Sequence, residues 1–136
     1  MQINPLKGSF GVEILDVDLT DTATHAAVIE TFHRHGVIVV RDQTLEPEHQ
    51  MAFTRAFGTP ESNQGNKFVH PDHPEMLVIS NRVVDGKVLG YLDAGIGWHT
   101  DSSYLEKPVM CTMLYNMEAP AVGADTLLAD LCAAYL

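Results

Sequence analysis

Apolar and polar positions alternate near the start of the chain. Phe10, Val12 and Ile14 are separated by Gly11 and Glu13, and Val17 and Leu19 continue the apolar content, which predicts a strand segment. The run Asp18-Leu19-Thr20-Asp21 ends it. Thr20, Asp21 or Thr22 can cap a helix that runs to about His35, with Val28, Ile29 and Phe32 on its inner stripe and Gly36 as its stop. Residues 37–40 are a continuous β-branched run of strand length, which predicts a strand covered on both faces and lying inside a sheet. Pro47 suits the first turn of a second helix, which would carry Met51, Ala52, Phe53, Ala56 and Phe57 inward and stop at Gly58 ahead of Pro60.

Residues 61–74, rich in Asn, Gly, His and Pro, predict a long loop. Residues 76–80 then read as a strand, and Asp85-Gly86 between Val83-Val84 and Val88 is a hairpin signature. Residues 109–117 predict a longer strand, with Met110 and Met113 in the core. Residues 126–128 predict a shorter strand after a turn at Gly123, and residues 131–136 the start of a helix.

Composition narrows the partners. A chain of 136 residues, 46% hydrophobic, can build one core, so one domain or part of one is expected. Eighteen acidic against eight basic residues give a net charge of −10, and no Lys/Arg cluster could track a phosphate backbone, so nucleic acid is not an expected partner. No apolar run reaches membrane-spanning length, and Met1-Gln2-Ile3-Asn4-Pro5 lacks the features of a secretory signal. A cytoplasmic protein without a membrane partner is therefore expected; oligomeric state is not legible. Cys111 and Cys132 stand far apart and read as buried free thiols.

The candidate chemistry lies at Trp98-His99-Thr100-Asp101. In a strand, residues two apart point to the same side, so the His99 imidazole and the Asp101 carboxylate would close on one ion. Two imidazoles and a carboxylate on one face, with the opposite positions open, suit non-haem iron(II), and this pair would supply two of the three ligands. Taken alone, a His-x-Asp pair among seven histidines is a weak signal, and a hydrogen-bonded surface pair is its ordinary explanation. The other histidines are weaker candidates. His33 and His35 fall on a predicted helix, where their side chains diverge by about 200°. His70 and His73 sit in a polar loop, and His25 and His49 read as solvated helix residues.

The surrounding order extends the motif. Ser102-Ser103-Tyr104 follows Asp101, then Pro108, a strand ending near Leu114-Tyr115, Pro120, Gly123 and Asp125-Thr126-Leu127. Upstream stand Phe10-Gly11, Asp18-Leu19-Thr20, Val40-Arg41-Asp42-Gln43, Phe57-Gly58, Ile79-Ser80-Asn81 and Asp85-Gly86-Lys87. This arrangement resembles the taurine and aryloxyacetate dioxygenase family of iron(II)- and 2-oxoglutarate-dependent enzymes over nearly the whole chain. The resemblance implies iron ligands at His99 and Asp101, with no catalytic residue beyond the ligands. It also implies contact of Thr126 with the distal carboxylate of 2-oxoglutarate, and an approach of Asn81 to substrate. Where the family has two glycines before Asp-Thr, this chain has Gly123-Ala124, which is tolerable if Ala124 needs no positive φ.

The fold implied is α+β, mostly β with flanking helices, an incomplete double-stranded β-helix of the jelly-roll, cupin-like type. The function implied is oxidation by dioxygen of a small anionic organic substrate, such as a sulfonate, carboxylate or aryloxyacetate, with release of succinate and CO2. No histidine follows His99 and no Lys or Arg follows Lys107. The third ligand and the arginine that holds 2-oxoglutarate are therefore expected beyond Leu136, and residues 1–136 are expected to be the N-terminal portion of one such domain. Taken alone, that portion would bind iron weakly, self-associate and not turn over. Two other classes stay open on the residues: a non-catalytic jelly-roll binding module, and a cupin-like metalloenzyme that does not use 2-oxoglutarate.

Overall fold

The computed structural model describes residues 1–136 except Ser9, Gln64 and Asp93. The chain divides into two units. One comprises Met1–Phe57 with Leu114–Leu136, and the other Gly58–Met113.

The first unit is built on a three-stranded sheet of order β1-β2-β3. Strand β1 (Gln2–Pro5) pairs antiparallel with β2 (Val12–Leu15), and β2 pairs parallel with β3 (Ile38–Val40). The parallel pairing requires a crossover, and helix α1 (His25–His35) supplies it. The side chain of Asp21 caps the 3-10 turn Thr22–Thr24 by accepting from the Ala23 N–H, and Gly36 closes α1 by donating its N–H to the Phe32 carbonyl. Helix α2 (Pro47–Phe57) follows, opened by proline as anticipated.

The core lies between these elements. Val12 and Ile14 from β2, Leu19, Val28 from α1, and Met51 and Phe53 from α2 are buried. Burying a side chain such as Ile14 contributes about 2–3 kcal/mol. The Phe53 ring stands edge-on to Phe57 at 5.3 Å, and Phe57 edge-on to Phe32 at 5.6 Å, a favoured aromatic geometry.

Several expectations for this unit are corrected. Strand β3 is half-buried at the sheet edge rather than inside it, because the central place goes to β2, which β1 flanks on its other side. Ala52 and Ala56 are exposed, since α2 turns only the stripe through Met51 and Phe53 onto the core. His25 is buried rather than solvated, with its ring edge-on to Phe53 at 4.9 Å. Residues 126–128 form no strand, and α3 (Leu131–Tyr135) begins at Asp130, whose carboxylate accepts from the Cys132 and Ala133 N–H groups. Cys132 is exposed.

In the second unit β4 (Val83–Val84) and β5 (Lys87–Val88) form the anticipated hairpin. Asp85 and Gly86 have φ of 50° and 75°, the pair of positive values that a two-residue turn matching strand twist demands. Residues 76–80 make only isolated bridges, Val69 to Leu77 and Ile79 to Tyr91. Residues 109–117 form no strand: no partner strand takes up their backbone groups among the described residues, and Met110 is exposed rather than in the core. Cys111 is half-buried. The fold is α+β, as expected, with more of the described residues in helix than in strand where a mostly β arrangement was expected. No described helix is long and apolar enough to cross a membrane.

Candidate metal centre

His99 and Asp101 are not on a strand. Gly97, at φ 83°, and Ser102, at φ 53°, bracket them with left-handed backbone, and a turn begins at Asp101. Left-handed residues on both sides break the extended geometry that the two-residue spacing suggested. The convergence expected of the pair is nevertheless present, reached through the turns. His99 Nε2 lies 3.2 Å from Asp101 Oδ1.

Two further contacts orient the pair. His99 Nδ1 is 3.0 Å from the carbonyl oxygen of Gly97, which can only accept, so Nδ1 carries the proton and donates it there. Nε2 then holds either a second proton or a lone pair. A proton there would make the contact an ion pair, and a lone pair there could be shared with a cation held by the carboxylate. On the far side of the carboxylate, the Thr112 hydroxyl donates to Asp101 Oδ2 at 2.6 Å.

The donor set fits a divalent transition metal. Two donors bound at about 2.1 Å lie about 3.0 Å apart at a right angle and about 3.4 Å apart at the tetrahedral angle. The observed 3.2 Å falls between them. Both side chains are about half exposed, which leaves the outward positions open. No group of three or more His, Cys, Asp or Glu side chains gathers for a metal among the described residues, so the donors that meet here number two.

Of the four residues singled out in the sequence, the structure brings His99 and Asp101 together. Asn81 lies exposed in the same unit, on the approach to the hairpin, where the Ser80 N–H donates to the Tyr91 carbonyl at 3.2 Å. Thr126 lies in the other unit, exposed and outside regular structure. Ala124, just before it, has φ of 57°, so the tolerance argued for Gly123-Ala124 fails and the alanine carries left-handed strain. Sequence reasoning missed the Gly97 carbonyl and the Thr112 hydroxyl. The Gly-x-His spacing could have suggested the first; Thr112 lies eleven positions beyond Asp101 along irregular chain, and no spacing rule bridges them.

Comparison with known proteins places the chain in a family. The family model described as taurine catabolism dioxygenase TauD, TfdA family matches residues 2–136. An alpha-ketoglutarate-dependent sulfate ester dioxygenase of Pseudomonas putida is 34% identical over 99% of this chain and 43% of its own length. An alpha-ketoglutarate-dependent 2,4-dichlorophenoxyacetate dioxygenase of Cupriavidus pinatubonensis is 34% identical over 97% of this chain and 50% of its own. Pentalenolactone F synthase of Streptomyces arenae is 32% identical over 99% and 48%. The chain thus spans about half the length of the curated relatives it matches. With the match running through both β1 and α3 and across the His99-Asp101 pair, the chain belongs to the taurine catabolism dioxygenase TauD, TfdA family.

Proposed function

We propose that this chain supplies two ligands, His99 and Asp101, to the iron(II) centre of a 2-oxoglutarate-dependent dioxygenase acting in the cytoplasm on a small anionic organic molecule. The observation that carries the reading is the meeting of His99 Nε2 with Asp101 Oδ1 at 3.2 Å while Nδ1 is committed to the Gly97 carbonyl. That commitment fixes the tautomer whose free lone pair suits a metal, as backbone carbonyls commonly do for ligating histidines. Iron(II) when bound supplies the redox chemistry that couples oxidative decarboxylation of 2-oxoglutarate by dioxygen to oxidation of the substrate.

The chain's own residues do the holding and orienting. Asp101 brings the negative charge that offsets part of the ion's, and His99 a neutral donor. Thr126 would donate its hydroxyl to the distal carboxylate of 2-oxoglutarate, and Asn81 would approach the substrate. The remaining histidine and a carboxylate-binding arginine would come from another part of a jelly-roll domain, of which residues 1–136 would form the N-terminal portion. The substrate class rests on the relatives, named for a sulfate ester and for 2,4-dichlorophenoxyacetate.

Anaerobic titration of the chain with Fe(II), read by calorimetry, tests the centre. Weak one-to-one binding is expected, lost in His99→Ala and in Asp101→Ala; binding that survives either change removes that residue. In a protein carrying these residues within a whole dioxygenase domain, succinate release coupled to small organic anions is expected. Thr126→Val should there raise the 2-oxoglutarate requirement more than the substrate requirement. Coupling only to peptides or nucleic acids would overturn the substrate class, and sustained succinate release by residues 1–136 alone would overturn the two-ligand reading.

A further inference from the structure

Beside the facing of His99 and Asp101 lies a second contact, between the Thr112 hydroxyl and the far oxygen of the same carboxylate. At 2.6 Å it lies in the range of a hydroxyl donating to an ionised carboxylate, a stronger bond than one between neutral groups. Thr112 has one hydroxyl proton, and Oδ2 takes it. The other oxygen, Oδ1, is the one that faces His99 Nε2. The two carboxylate oxygens are thus already assigned to different partners.

From this division we infer that Thr112 is a positioning residue that makes Asp101 a one-oxygen metal ligand. The inference rests on the reading of His99 and Asp101 as the metal pair. The terminal torsion of an aspartate is broad and roughly two-fold, so an unrestrained carboxylate can present either oxygen, or both, to an ion. A hydroxyl held on Oδ2 removes the orientation in which both oxygens bind. Threonine is suited to the task because its branched Cβ leaves few side-chain rotamers, so the backbone of residue 112 sets the direction of the O–H. The consequence for the centre is an additional open position, since a carboxylate bound through both oxygens would occupy two.

The test uses the 136-residue chain and Co(II) as an air-stable probe of the divalent site. Affinity is read by calorimetry, and the mode of carboxylate binding by the separation of its two infrared stretches, which narrows when both oxygens bind. Thr112→Val keeps the shape and removes the donor; it should weaken Co(II) binding about tenfold, the effect typical of losing a group that orients a ligand, and narrow the separation. Thr112→Ser keeps the donor and should restore both readouts. Thr112→Ala replaces the valine variant should that fail to fold, with the same expectation. Wild-type affinity and separation in the variants lacking the hydroxyl, with binding lost in Asp101→Ala, would overturn the role of Thr112 and leave the metal pair standing. Undiminished binding in Asp101→Ala, or no binding by the unaltered chain, would overturn the metal pair and this inference with it.

Discussion

The Nε2–H of His25 donates to the carbonyl oxygen of Leu19 at 2.9 Å, six residues back, and both residues are 5% exposed. The bond satisfies a carbonyl at the point where the chain leaves β2 and enters α1, and the same ring packs edge-on against Phe53 of α2. His25→Ala removes the donor and the aromatic contact together and leaves the carbonyl without this partner. We expect a loss of about 2–3 kcal/mol, against less than about 0.5 kcal/mol for the exposed His35→Ala. Urea unfolding compares them, and equal midpoints for the two variants would remove His25 from the core.

Gly90 stands where two stretches of backbone pass close to each other. A Cβ there would meet the Val78 carbonyl oxygen at 2.6 Å and the Ser80 nitrogen at 2.7 Å, both backbone atoms that cannot swing aside. Gly90→Ala should therefore break the hydrogen bonds that link Tyr91 with Val78 and Ser80. Amide exchange at Ser80 and Tyr91 should accelerate while that of β2 stays as it was. Unchanged protection at both amides would show that the approach relaxes without cost.

Ala124 holds φ of 57°, a region that costs an ordinary L-residue about 1–2 kcal/mol relative to glycine. Part of that is recovered by the greater freedom glycine has in the unfolded chain. Ala124→Gly should thus be neutral to stabilising, by up to about 1 kcal/mol, whereas Ala124→Val should be destabilising. A thermal midpoint lower in the glycine variant than in the parent would contradict the strain.

The two thiols should react at different rates. Burial pushes the Cys111 thiol above its ordinary value, so less thiolate is present at neutral pH, and access to it is restricted. Cys132 is exposed at the first turn of α3. Labelling with a disulfide reagent at pH 7 should give a fast phase that Cys132→Ser abolishes and a slow phase that quickens as the pH rises. A fast phase that survives Cys132→Ser would reverse the assignment.

Local features of this protein were legible in the amino-acid order because each depends on contiguous residues. The Asp85-Gly86 turn, the proline that opens α2 and the glycine that closes α1 follow from the backbone conformations those residues favour. The His-x-Asp pair was legible as a chemical candidate for the same reason: its two members lie within one turn's reach. What the tertiary structure decided are the relations between distant segments. The short run Gln2–Pro5 becomes a strand only because β2 is there to pair with it, and its arrival leaves Ile38–Val40 at the sheet edge. Residues 109–117 have the composition of a strand and lack the ladder of backbone partners that would make them one. The burial of His25 under Phe53, and the meeting of Thr112 with Asp101, each require the closing of a loop whose ends no short window of sequence contains. Even the convergence of His99 on Asp101 comes from left-handed backbone at Gly97 and Ser102 rather than from strand alternation. The residue spacing allows both routes, and the folded backbone takes one.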